Sequence, residues 1–198
     1  MVRSTADPGY ARRLDALEQR RLARWFDVQA PYRRNIRRIG PGFVLDVGCG
    51  LGRNLGHLEG HGVGVDHNPA AVEVARSRGL TAFTPTEYRA SEFAAPGRFD
   101  SLLLAHVIEH LAVDEGRSLV LEYLPAVRPG GRVIVICPER AGYRSDPTHV
   151  TYYDRERLTD LASGCGLRVE SLRSFPFPSL AGRLFRYNES ILVARVPE

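Results

Sequence analysis

Lysine is absent: all 27 basic residues of the chain are arginine. That excludes a Walker A loop, a protein-kinase phosphate lysine and a pyridoxal phosphate Schiff base, each of which depends on a lysine amine. Cysteine is scarce. Cys49, Cys137 and Cys165 are odd in number, far apart and form no C-x-x-C pair. Neither a disulfide scaffold nor a zinc ribbon fits them, and a reducing, cytoplasmic setting is expected. Long apolar runs are also missing. Nothing approaches the ~18 consecutive apolar residues of a membrane span, and the first 30 residues are charged where a secretory leader is apolar, so no membrane partner is expected. The net charge of +4 permits an anionic partner. Complete replacement of lysine by arginine reads as codon bias, however, so charge alone is weak evidence for nucleic acid binding.

What is present fits one globular domain: 198 residues, 43% hydrophobic and 25% charged. Short apolar runs of β type alternate with amphipathic helical stretches, the pattern of a parallel sheet covered by helices on both faces. Residues 9–39 read as helical, with nine arginines and an apolar stripe of Leu14, Leu17, Leu22 and Trp25. The expected division is an N-terminal helical lid over 1–40 and a catalytic domain over 41–198. Strands are predicted at 43–47, 62–66, 80–84, 99–105, 132–137, 167–175 and 189–196. A helix over 69–78 is signalled by Asn68 as N-cap and Pro69 at the first helical position. Further helices are predicted near 53–59, within 107–127 and over 155–163, and 138–153 reads as a polar loop. No helix separates the last two strands, so they form an antiparallel pair at the sheet edge.

The most informative stretch is Val44-Leu45-Asp46-Val47-Gly48-Cys49-Gly50-Leu51-Gly52-Arg53-Asn54, a strand that runs into a glycine-rich turn and then a helix. Glycines let the backbone approach a ligand closely, and the N–H groups opening a helix attract an electron-rich group. Asp66, at the end of the second strand, can accept hydrogen bonds from both hydroxyls of a ribose. Gly48, Gly50 and Asp66 thus describe the adenosine half of a nucleotide site. Arg53 stands where the dinucleotide pattern G-x-G-x-x-G places glycine or alanine. Asp46 would repel a pyrophosphate and attract an α-amino cation instead.

VLDVGCGLGRN, GVGVDHNPAAVEVAR, RFDSLLLAHVIEHL and VRPGGRVIV, in that order, resemble the class I S-adenosylmethionine-dependent methyltransferases over residues 43–196. The resemblance implies a Rossmann-like, seven-stranded and mostly parallel α/β sheet with an antiparallel edge strand. It places Gly48, Cys49 and Gly50 against the cofactor, Asp46 at its amino group, Asp66 at its ribose and His67 beside adenine. Thr86 or Glu87 would read the adenine edge, and Ala105 and His106 would contact the cofactor or face its methyl group.

The remaining candidates are His106, Glu109 and His110, whose i, i+3, i+4 spacing puts them on one face of a helix, and His149 from the loop after the fifth strand. They are candidate bases, substrate donors or ligands of a divalent metal. His-x-x-Glu-His with a distant histidine is similar to the Glu-x-x-Glu-His plus His site of metal-assisted small-RNA 3′-terminal 2′-O-methyltransferases, and its helical part resembles the Glu-x-x-Glu-His of ubiquinone-pathway O-methyltransferases. Histidine in place of the first glutamate softens the set away from magnesium and toward Zn, Fe, Mn or Co. Arg144, Tyr143 and Tyr152 would suit a planar or anionic acceptor. The resulting expectation is methyl transfer to an O, N or C nucleophile of a small metabolite by a monomer or homodimer. The alternatives are a metal-assisted RNA 2′-O-methyltransferase and a non-catalytic cofactor-binding subunit.

Overall fold

A computed structural model describes residues 29–198, so the stripe Leu14, Leu17, Leu22 and Trp25 and most of the expected lid lie outside the described residues. The chain divides into two compact units, Met1–Ala94 and Ala95–Glu198, the first with three of the seven strands and the second with four.

The first unit opens with α1 (Ala30–Ile39), which has a proline in its first turn and ends at Gly40, a left-handed C-cap whose N–H donates to Arg37 O. The strands β1 (Val44–Val47) and β2 (Gly62–Val65) are buried on both faces and pair in parallel, with Asp46 opposite Gly64. Between them lies α2 (Arg53–His57). β3 (Ala82–Phe83) adds to β2 in parallel, giving the order β3-β2-β1. The glycines of β2 let β1 and the glycine loop close in. A Cβ on Gly62 would meet Val44 O at 2.5 Å, and one on Gly64 would meet Cys49 Sγ at 2.6 Å. α3 (Pro69–Ser77) begins as its sequence predicts: the Asn68 side chain accepts from Ala70 N at 3.0 Å. α4 (Pro85–Arg89) begins with a capping box between Thr84 and Glu87.

In the second unit β4 (Phe99–Ala105) pairs in parallel with β5 (Val127–Pro138), and β7 (Glu189–Arg195) runs antiparallel to both β5 and β6 (Arg168–Phe175). The order is β4-β5-β7-β6, so the expected antiparallel pair is at the edge with β6 outermost. β5 begins earlier than the predicted 132. It pairs Val127 with Phe99, slips across Pro129-Gly130-Gly131, and resumes at Arg132 opposite Ser101. The helices α5 (Val113–Tyr123), α6 (Arg140–Tyr143) and α7 (Arg155–Gly164) complete the unit, α6 lying within the expected 138–153 loop. Two juxtapositions follow from the register. Glu189 faces Pro138 at the end of β5, and His106 N–H donates to Ile136 O at 2.8 Å just past the end of β4.

Among the described residues the three cysteines are free and buried, and no helix is long and apolar enough to cross a membrane.

Candidate cofactor and histidine sites

In the first unit the glycine loop leaves β1 through a run of left-handed residues: Gly48 at φ 76°, Gly50 at 53° and Gly52 at 77°. Alternation of this kind is open to glycine and strained for other residues. Gly48 N–H and Cys49 N–H both donate to Val65 O, tying the loop to the end of β2. A Cβ on Gly50 would meet nothing within 4 Å, so this glycine borders open space.

Asp66 sits beneath the loop with both oxygens fixed: Oδ2 accepts from Gly50 N–H and Oδ1 from Asn68 N–H, each at 2.8 Å. Each oxygen keeps lone-pair capacity for a hydroxyl. His67 stands half exposed beside it, its Nδ1 3.7 Å from Asp66 Oδ1.

Asp46 is 0% exposed, and neither of its carboxylate oxygens has a hydrogen-bond partner. Burial, then the charge of Asp66, push its pKa up to about 7 against the opposing pull of Arg53. A buried carboxylate with no donor is costly, and a cationic donor is what would relieve it. The α-amino group of S-adenosylmethionine is such a donor. Together with the glycine bend and the placed Asp66, this donor set fits the cofactor.

Other expected contacts are occupied differently. The Cys49 side chain turns inward under Gly64, and burial, followed by the charges of Asp46 and Asp66, raises its thiol pKa far above the usual range. Glu87 caps α4: its Oε2 accepts from Thr84 N–H at 2.7 Å and pairs with Arg76 at 2.9 Å. The Thr84-x-x-Glu87 pattern carried that signal in the sequence. Thr86 lies exposed in the first turn of the same helix.

The second unit holds the histidines, but not on one helical face. His106 has φ 60°, and only a single 3₁₀ turn, Ile108–His110, follows before α5. The i, i+3, i+4 argument therefore does not apply, and His106 leaves the set. Its Nε2–H donates to Glu189 Oε1 at 2.9 Å, while its Nδ1 lies 3.3 Å from Glu109 Oε1. Burial pulls its pKa down, but hydrogen bonding and charge from the two carboxylates outweigh that and raise it to about 10. Both ring nitrogens of His106 face carboxylates, an arrangement that favours the imidazolium. Glu189 was not singled out from the sequence because only the β5–β7 register brings it there.

Glu109, His110 and His149 do converge, with one ligand atom from each lying within 4.8 Å of the others. The convergence is built by backbone: Val150 N–H and Thr151 N–H both donate to Glu109 O, at 2.7 and 3.0 Å, and draw the loop onto the 3₁₀ turn. His149 Nδ1–H donates to Tyr143 O at 2.8 Å, and His110 Nδ1 lies 3.1 Å from Thr148 Oγ1 and 3.3 Å from Thr148 O. Contacts to Nδ1 leave Nε2 of each ring available, the arrangement second-sphere oxygens give metal-binding histidines. Burial depresses the pKa of His110, with a contribution from His149, which favours the neutral, ligating ring. Glu109 is 1% exposed, and no hydrogen bond of good geometry reaches either of its oxygens. The donor set, two imidazoles and one carboxylate, fits a borderline divalent metal. Ala105 ends β4 opposite Ile136.

A family described as "Methyltransferase domain" matches residues 45–135. A ubiquinone biosynthesis O-methyltransferase of Methylobacterium sp. (strain 4-46) is 36% identical over 95 residues, 44% of this chain and 37% of that protein. A tRNA (carboxymethyluridine(34)-5-O)-methyltransferase of Xenopus tropicalis is 34% identical over 94 residues, 46% of this chain and 15% of that protein. The chain thus spans well under half the length of these curated relatives. A SAM-dependent methyltransferase of Archaeoglobus fulgidus superposes with TM-score 0.66 at 19% identity, covering 83% of this chain and 92% of its own. The magnesium protoporphyrin IX methyltransferase of Synechocystis PCC 6803 does so with TM-score 0.65 at 14% identity, covering 97% and 96%.

Proposed function

We propose, for a chain that belongs by its fold and by the sequence of residues 45–135 to the class I S-adenosylmethionine-dependent methyltransferases, that it O-methylates a small metabolite. The observation that carries the cofactor half of this reading is Asp46, a wholly buried carboxylate with no partner at the exit of β1. The cofactor supplies a methyl group on a sulfonium, which leaves by in-line displacement. What this chain contributes is placement. Asp46 holds the amino group, Asp66 the ribose hydroxyls, and Gly48 and Gly50 the close backbone approach; His67 flanks adenine, with Thr86 free to reach its edge.

The acceptor half rests on Glu109, His110 and His149. A hydroxyl must lose its proton to attack well, and either a base or a Lewis acid achieves this. The three side chains would hold a divalent metal, whose chemistry would be to lower the pKa of a bound hydroxyl. His106 contributes differently: just past Ala105 at the end of β4, it is held between Glu189 and Glu109 and so fixes the side of the Glu109 carboxylate. An O nucleophile is favoured over N or C because both curated relatives above are named as O-methyltransferases.

RNA is a second reading, favoured by the tRNA-modifying relative. Purified protein supplied with S-adenosylmethionine and either catechol-type and other small hydroxyl acceptors or short RNAs should form S-adenosylhomocysteine with the former. Turnover only with RNA would select the second reading. Cofactor binding with no turnover on any acceptor would support a non-catalytic subunit.

A further inference from the structure

The segment between β6 and β7, residues 176–188, exposes apolar side chains on a braced frame. Leu184 is 92% exposed and Leu180 71%, while Phe177 and Tyr187 are each about half exposed. These are four of the eight large exposed apolar residues among the described residues, gathered in one short stretch. The segment is not slack. The Asn188 side chain accepts from Phe177 N–H and donates to Phe177 O, both at 3.0 Å, closing the loop at its base. Asn188 Nδ2 also donates to the buried Glu139 carboxylate, which accepts from Ser174 Oγ as well. Phe185 packs edge-on against both Phe177 and Tyr187, and a 3₁₀ turn, Ala181–Arg183, lies between the two leucines. Concentrated exposed apolar surface on a held loop marks an interaction surface.

We propose that this loop docks peripherally on an anionic lipid bilayer. Charge selects that occupant: the stretch carries Arg183 and Arg186 and no acidic residue. Arginines beside leucine and aromatic side chains are the composition of an interfacial anchor, the apolar tips entering the headgroup boundary and the guanidiniums meeting lipid phosphates. Arg186 already lies over the Tyr187 ring, 5.1 Å from its centroid. A second copy of the chain fits less well. Two such surfaces would oppose arginine to arginine, and a stable interface needs about 20–30 residues a side. The expectation of no membrane partner rested on the lack of a spanning segment, which this mode does not use.

The test is flotation of the whole protein with phosphatidylcholine vesicles, with and without phosphatidylglycerol. Binding should require phosphatidylglycerol and weaken with salt. Arg183→Gln with Arg186→Gln should reduce it by about fivefold per arginine, and Leu180→Ser with Leu184→Ser by more than about tenfold. All four positions are exposed, so both double variants leave the core untouched, and unchanged thermal melting checks that they fold. No flotation with anionic vesicles, or flotation undiminished in both variants, overturns the proposal. A concentration-dependent dimer lost in the leucine variant would assign the surface to a second copy instead. Loss of methyl transfer in that variant without any vesicle binding would make it a substrate wall.

Discussion

Cofactor binding should expel a proton, because Asp46 is neutral in much of the free protein and must be charged beneath an α-amino cation. Its pKa of about 7 in the free protein sets the window. At pH 6 the free carboxyl is about nine-tenths protonated, so binding S-adenosylhomocysteine should release about 0.9 proton; at pH 8 it should release about 0.1. Two pH units below the pKa, forcing the ionised form costs about 2.7 kcal/mol, so affinity at pH 5 should be about a hundredfold weaker than its plateau. The sign in the free protein is opposite to that of a paired carboxylate. The folded pKa lies above the ordinary carboxyl value of 3.8, so stability associated with Asp46 is full below that value and is lost as pH rises through 7. Asp46→Asn should accordingly stabilise the ligand-free protein, by an amount growing between pH 4 and 7 toward roughly 4 kcal/mol, while abolishing the proton release. Calorimetric titrations at pH 6 in two buffers of different ionisation enthalpy read the proton count directly. Equal heats in the two buffers would mean that no proton leaves and that Asp46 is already ionised in the free protein.

The histidine cluster predicts that protein freed of metal by chelation binds Co²⁺ with absorption bands of a mixed nitrogen and oxygen site, lost in Glu109→Gln and in His149→Ala; an unchanged spectrum in both would remove these ligands. Glu189→Gln removes one of the two carboxylates holding His106, so the His106 pKa measured by NMR should fall from about 10 toward its usual value. The sign is that of a raised base: stability from this pairing is complete below pH 6.5 and is lost as pH rises through 10, so the variant should be most destabilised just below pH 6.5 and indistinguishable from the parent at high pH. Gly64→Ala puts a methyl 2.6 Å from Cys49 Sγ and 2.9 Å from Leu55 Cδ1, overpacking that should cost about 1–3 kcal/mol in urea unfolding.

The parts of the fold legible in the sequence were those governed by local rules. Asn68-Pro69 announced a helix start that the Asn68 side chain does cap, and the continuous apolar run of 99–105 became β4 with the predicted bounds. The absence of a helix between the last strands told correctly that they pair antiparallel. Asp46 and Asp66 were legible as carboxylates beside a glycine bend, though not the fact that only Asp66 is hydrogen bonded. The failures came where tertiary structure overrides spacing. His106 takes a left-handed conformation rare outside glycine, which breaks the helical periodicity its neighbours imply, and its partner Glu189 lies 83 residues along the chain, joined to it through β7. Glu87, one of two candidates for the adenine edge beside Thr86, has a nearer chemistry three residues from Thr84, that of a helix cap.

The proposed seat for a sulfonium nucleoside with an amino acid tail is the loop after β1 with Asp46 at its base. Titration of the whole protein with S-adenosylmethionine near pH 7.5 measures this most directly. One molecule should bind per chain, with Asp46→Ala weakening it by at least about tenfold, the low end of a lost charge-assisted hydrogen bond. No binding by the parent protein, or binding that Asp46→Ala leaves intact, would rule this seat out.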